Sequence, residues 1–200
     1  MNSLTFFKNI KLNKGFTLIE LMMVIVISTI MMTTLVVQQN QWNDSLTVNT
    51  QAYELALTIR QAQIYSLAVR ESATGSGNFD IGYGIYFDSN HSRYIYFGDI
   101  NKNQKYDAGE EIETKTFTRG VTISKFCGIR AGVEDCGSPM NNISITFFRP
   151  EPKAVISFLN GGGNPAPGFN SPAIIYLKST GNKQYKVTVE ANGQVSTIPI

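Results

Sequence analysis

Between Phe16 and Thr74 the sequence contains neither glycine nor proline. In a helix interior glycine costs about 1 kcal/mol and proline about 3 kcal/mol, so their absence over this length predicts one continuous helix, on the order of 80 Å long. Cysteine is also scarce: Cys127 and Cys136 are the only two, and both fall in the C-terminal part of the chain. A single histidine, His91, falls in an apparent turn, without the partner groups that proton transfer requires. No glycine-rich phosphate loop precedes a helix, and no pair of histidines is spaced for zinc. An enzyme is therefore not expected. Charge is sparse as well. The chain has 17 Lys and Arg against 15 Asp and Glu, and Lys8, Lys11 and Lys14 all precede Gly15. The remainder carries a net charge of −1, which gives it no general attraction for nucleic acid or anionic lipid.

What the sequence does have is a long apolar run. Over residues 16–37 nearly every side chain is apolar or a Ser/Thr, and the only charge is Glu20. As a helix the run spans the ~30 Å core of a bilayer. The three lysines before it would stay cytoplasmic and place the rest of the chain outside. An ordinary secretory signal is cut after its apolar segment at a small-residue site, and Val36-Val37-Gln38-Gln39-Asn40 offers none. Glu20 needs its own account, because an acid at the centre of a membrane helix costs roughly 2.5–3.5 kcal/mol on insertion scales.

Lys14-Gly15-Phe16-Thr17-Leu18-Ile19-Glu20-Leu21 resembles the processing signal of type IV pilins and type II secretion pseudopilins. The resemblance implies cleavage by prepilin peptidase between Gly15 and Phe16 and N-methylation of Phe16. It also implies that Glu20, fifth after the cut, pairs during assembly with the Phe16 ammonium of a neighbouring subunit. The expected fold is α+β and pilin-like: a long N-terminal helix, membrane-spanning first and amphipathic later, packed on an antiparallel β head. The corresponding divisions are a removed leader over 1–15, an assembly helix over 16–37, an amphipathic helix over 38–74 and a head over 75–200. Residues 57–68, the Asp-rich hairpin at 99–110 and the closing Ala191-Asn192-Gly193-Gln194-Val195 are most similar to the group of pseudopilin H and the FimT and FimU minor pilins. Val37 stands where many of those relatives carry proline. Gln194-Val195-Ser196 stands where DNA-binding relatives carry arginine, so nucleic acid is not an expected partner.

Beyond Gln38, Leu46, Tyr53, Leu57, Ile64 and Leu67 recur at helical spacing, an apolar stripe expected to face the strands. Period-two alternation then predicts strands at 83–88, 92–97, 111–117, 121–126, 143–149, 154–159, 173–179, 185–190 and 195–198. Residues 75–78 would end the helix, residues 88–91 and 190–193 would form turns, and residues 161–168 a flexible surface loop. In an oxidising compartment Cys127 and Cys136 would pair. In residues 99–110, Asp99, Asn101, Asn103, Asp107 and Glu110 offer side-chain oxygens, and Lys105 its carbonyl, at the spacing of a calcium loop. Gln104 occupies the place where such loops favour glycine, and the same residues can instead build a polar hairpin rich in Asx turns. Ca2+ and a metal-free hairpin are both open readings at this point.

The expected role is a minor pilin or pseudopilin. It would be a single-pass inner-membrane subunit with its head outside the cytoplasm. Its partners would be other pilins or pseudopilins, prepilin peptidase and the inner-membrane assembly platform. The alternative is a filament-borne binding module, an adhesin or DNA-uptake receptor, with specificity in the head.

Overall fold

The computed structural model describes residues 15–68 and 81–200, and between 37 and 42 the backbone only. The leader lysines and the expected helix end at 75–78 lie outside the described residues. Helix α1 runs Leu18–Leu67. Two units divide the chain, Met1–Asn40 and Gln41–Ile200. In the first, Leu18–Val36 has a mean hydropathy of 2.2 and is long and apolar enough to cross a membrane, with none of it buried.

The second unit is α+β. Its strands are β1 (Gly82–Phe87), β2 (Arg93–Asp99), β3 (Glu111–Thr116), β4 (Thr122–Arg130), β5 (Val133–Asp135), β6 (Asn142–Phe147), β7 (Ala154–Leu159), β8 (Asn170–Lys178), β9 (Gln184–Val189) and β10 (Val195–Pro199). They form two antiparallel sheets of five, ordered β3-β2-β1-β6-β7 and β10-β9-β8-β4-β5. Each strand expected from the alternation is present, the one at 154–159 with both ends as expected and the other eight with at least one end moved, and β5 is added. Three residues are too few to show a period, so β5 had no signal of its own.

One core joins the helix to both sheets. Val48, Ala52, Leu55, Ala56, Ile59 and Ala62 pack with Ile85, Phe87, Ile145 and Phe147 of the first sheet and with Ile123, Ile175 and Val187 of the second. Polar side chains fasten the helix at its margins. Gln51 Oε1 accepts the Thr118 N–H at 3.2 Å, and Gln63 Nε2 donates to the Pro152 carbonyl at 2.8 Å.

The helix face turned to the sheets is the opposite of the one expected. Leu46, Tyr53, Leu57, Ile64 and Leu67 are all exposed, Leu57 by 63% and Ile64 by 61%. The buried face is built largely of small residues, Ala52, Ala56, Ala62 and Ser66, around Leu55 and Ile59. Small side chains let the helix lie close to the strands, and interaxial distance follows the side chains at the contact. Apolar bulk alone therefore pointed to the wrong side.

This arrangement separates two substitutions of similar chemistry. Ile59→Ala opens a cavity in a fully buried position and should destabilise by about 2–5 kcal/mol. Leu57→Ala removes an exposed side chain and should stay within about 0.5 kcal/mol. Thermal unfolding of the detergent-solubilised chain checks both, and equal losses would contradict the assigned face.

Candidate functional site

The N-terminal boundary is open to an enzyme. Residues 15–17 precede the helix and are not helical. Phe16 is 78% exposed, and a Cβ added at Gly15 would meet nothing within 4 Å. Thr17 caps the helix by accepting the Glu20 N–H on Oγ1 at 3.3 Å. Thr17 and Glu20 thus occupy the Thr-x-x-Glu spacing of a capping box. A carboxylate in the first turn is favoured by the unpaired amides and by the helix dipole, which offsets part of its insertion cost.

The loop at 99–110 joins β2 to β3 and folds onto the outer face of the first sheet. Tyr106 stacks on Tyr86 with ring centres 4.7 Å apart and meets the Phe97 edge at 5.5 Å. The Gln104 carbonyl accepts the hydroxyls of Thr146 and Ser157, each at 3.3 Å. Gln104 itself has φ 70°, the left-handed conformation for which glycine is favoured at this place. Every side chain proposed as a donor is already engaged. Asp99 accepts the N–H groups of Asn103 and Gln104 at 3.0 and 2.7 Å. Glu110 accepts those of Ile100, Asn101 and Asp107 at 2.9, 3.2 and 3.0 Å. Asn101 and Asn103 both donate from Nδ2 to Asp107 Oδ2. Burial pushes the Asp99 carboxyl up, against the pull of the Gln104 and Asn103 amides, while the two asparagines hold Asp107 below the usual carboxylate range.

The loop at 161–168 is a hydrogen-bonded turn and not a free segment. Asn160 Oδ1 accepts the N–H groups of Gly162 and Asn164 at 2.9 and 3.0 Å, and Ala166 N–H returns to the Phe158 carbonyl at 2.8 Å. The Arg130 guanidinium lies 4.1 Å from the Phe169 ring centre. This loop and the 99–110 loop meet at a cleft of about 400 Å3 lined by Pro165 and Ala166 of the first, Asn103 and Lys105 of the second, and Ser157 and Phe158 of β7. Nothing in the spacing of the two loops along the chain showed that they would converge. Tyr106, the one aromatic in its polar stretch, was the signal that the loop would pack down. His91 sits apart, edge-on to Phe126 at 5.4 Å.

Cys127 and Cys136 form a disulfide. It ties β4 to the segment just beyond β5, and a loop this short stabilises by roughly 2–3 kcal/mol in the chain-entropy model. A second fastening went unread in the sequence. Glu134 on β5 accepts the Tyr176 hydroxyl and pairs with Lys186 Nζ at 3.0 Å. Lys125 Nζ stands 4.3 Å over the Tyr176 ring. Burial would raise the Glu134 carboxyl, but Tyr176 and Lys186 prevail and lower it. Tyr176 is pushed up to about 12 by burial and by Glu134.

The signs follow. The Tyr176 contribution to stability is fully present below the ordinary tyrosine range and is lost as pH rises through about 12. The Glu134 contribution is present above the ordinary carboxylate range and is lost as pH falls through its lowered value. Ultraviolet titration should show Tyr176 ionising near 12, with Glu134→Gln moving it down and Tyr176→Phe removing it. An unchanged titration in Glu134→Gln would contradict the pair.

Residues 10–36 match the prokaryotic N-terminal methylation motif. Comparison with curated proteins and with solved structures finds no match. The matched segment contains Gly15, Phe16 and Glu20 and runs to the end of the Leu18–Val36 apolar stretch. It is the type IV pilin signal, which implies processing by prepilin peptidase and assembly with other pilins.

Proposed function

We propose that this chain is a minor pilin or pseudopilin, a structural subunit of a type IV pilus or a type II secretion pseudopilus. The observation that carries this reading is the methylation motif at residues 10–36, with its cleavage boundary in exposed, non-helical backbone. The inverted helix supports it. A helix with apolar side chains on both faces needs two partners, and the head covers one face. Leu46, Tyr53, Leu57, Ile64 and Leu67 form the second, and exposed apolar patches of this kind mark interaction sites. Neighbouring subunits are the partners that a pilin signal implies. In the assembled state the Glu20 carboxylate pairs with the Phe16 ammonium of a neighbour. The subunit is anchored by the apolar Leu18–Val36 segment, with the head outside the cytoplasm and the assembly platform as its membrane partner. A filament-borne binding module is the second reading, and what favours it is the cleft where the two head loops meet.

Processing supplies the test. Co-expressed with a prepilin peptidase, the chain should yield a mature form beginning at N-methylated Phe16. Gly15→Val should keep its leader. A Cβ at Gly15 touches nothing in the fold, so that failure would report on the peptidase and not on misfolding. Mass spectrometry reads the terminus, and a wild-type chain left uncut beside an active peptidase would overturn the proposal.

A further inference from the structure

We infer that the loop at residues 99–110 keeps its calcium-type turn without a cation, two asparagine carboxamides supplying the positive hydrogens that an ion would supply. The inference does not depend on the assembly role. Composition and geometry disagree at this loop. The spacing Asp99, Asn101, Asn103, Asp107, Glu110 matches a calcium loop, which works by gathering hard oxygens round one point. The three carboxylates here do not gather. No choice of one oxygen from each brings all three within 4.8 Å of one another, and among the described residues the one cluster of metal-ligand type is Cys127, Glu134 and Cys136, whose sulfurs are bonded to each other.

The backbone fixes which way the asparagines point. Asn101 Oδ1 accepts the Asn103 N–H at 3.0 Å, and Asn103 Oδ1 accepts the Lys105 N–H at 3.0 Å. With both oxygens committed to amide donors, each Nδ2 is turned the other way, and both reach the same oxygen, Asp107 Oδ2. A carboxylate oxygen that would serve a cation thereby accepts two N–H donors instead. The Glu110 carboxylate is used in the same manner by three backbone amides. A separate set of contacts holds the loop from outside. The Thr146 and Ser157 hydroxyls take the Gln104 carbonyl, and Tyr106 is stacked on Tyr86. The turn is therefore anchored to the sheet by groups that no ion needs to organise.

Full-length protein in detergent, melted in chelator and then in Ca2+ at about 10 mM, reads this directly. That concentration exceeds the ~10⁻⁴–10⁻³ M range of weak extracellular calcium sites. The wild-type midpoint should be the same in both within about 1 °C. In the double variant Asn101→Asp/Asn103→Asp the donors become acids facing Asp107. This protein should melt several degrees lower in chelator, recover in Ca2+, and show tyrosine-sensitised Tb3+ emission that the wild type lacks. A wild-type midpoint raised by Ca2+ would overturn the inference whether or not the variant folds. A double variant as stable as wild type in chelator would overturn it too, because the carboxamides would then be dispensable.

Discussion

A helix in this head has to be apolar twice over. The part of α1 that lies on the sheets presents Leu55, Ile59 and a series of small residues to the core, and Leu57, Ile64 and Tyr53 to the outside. Burying a Leu or Ile side chain is worth about 1.5–3 kcal/mol, so leaving several on one exposed stripe forgoes a large stabilisation. The forgone term is recovered only when a second surface covers the stripe. The close packing of the first face makes this possible. Alanines at 52, 56 and 62 and Ser66 allow the helix to sit down on the strands, which leaves the larger side chains free for another partner.

The head is fastened where that helix could pull it apart. Gln51, Arg60 and Gln63 reach backbone groups from three different connections: Thr118 after β3, Val195 at the start of β10, and Pro152 with Gly193 before β7 and β10. At the far edge of the second sheet, the disulfide and the Glu134 pair fix β5, a strand too short to hold itself by its ladder. The loop over the first sheet is closed by its own asparagines and pinned by Tyr106.

Much of this was legible in the sequence, for identifiable reasons. The strands showed because alternate residues face one core, and period two survives in the one-dimensional string. The N-terminal segment showed because a membrane span and a basic flank are matters of composition. The helix face did not show. Hydrophobic periodicity locates apolar residues but is blind to which of two apolar faces an adjacent sheet can approach, and that is decided by side-chain volume. The 99–110 loop displayed its spacing but not its direction of bonding. Asp99 and Glu110 accept amides from their own loop, an arrangement fixed by backbone geometry that spacing does not encode. Glu134, Tyr176 and Lys186 lie far apart in sequence, and only the pairing of β4 with β5 and β8, and of β8 with β9, brings them together.

The central claim is that the two faces of one helix have different partners, one within the chain and one in neighbouring subunits. Thiol accessibility of single-cysteine variants, with the natural disulfide intact, tests it directly. In the solubilised subunit a Leu57→Cys thiol should react rapidly and an Ala56→Cys thiol slowly, since Ala56 is 7% exposed and Leu57 63%. After assembly with the other pilin subunits, the Leu57→Cys thiol should become protected as well. If it stays fully reactive in the assembled filament, the exposed stripe is not the assembly face and the account fails at its base.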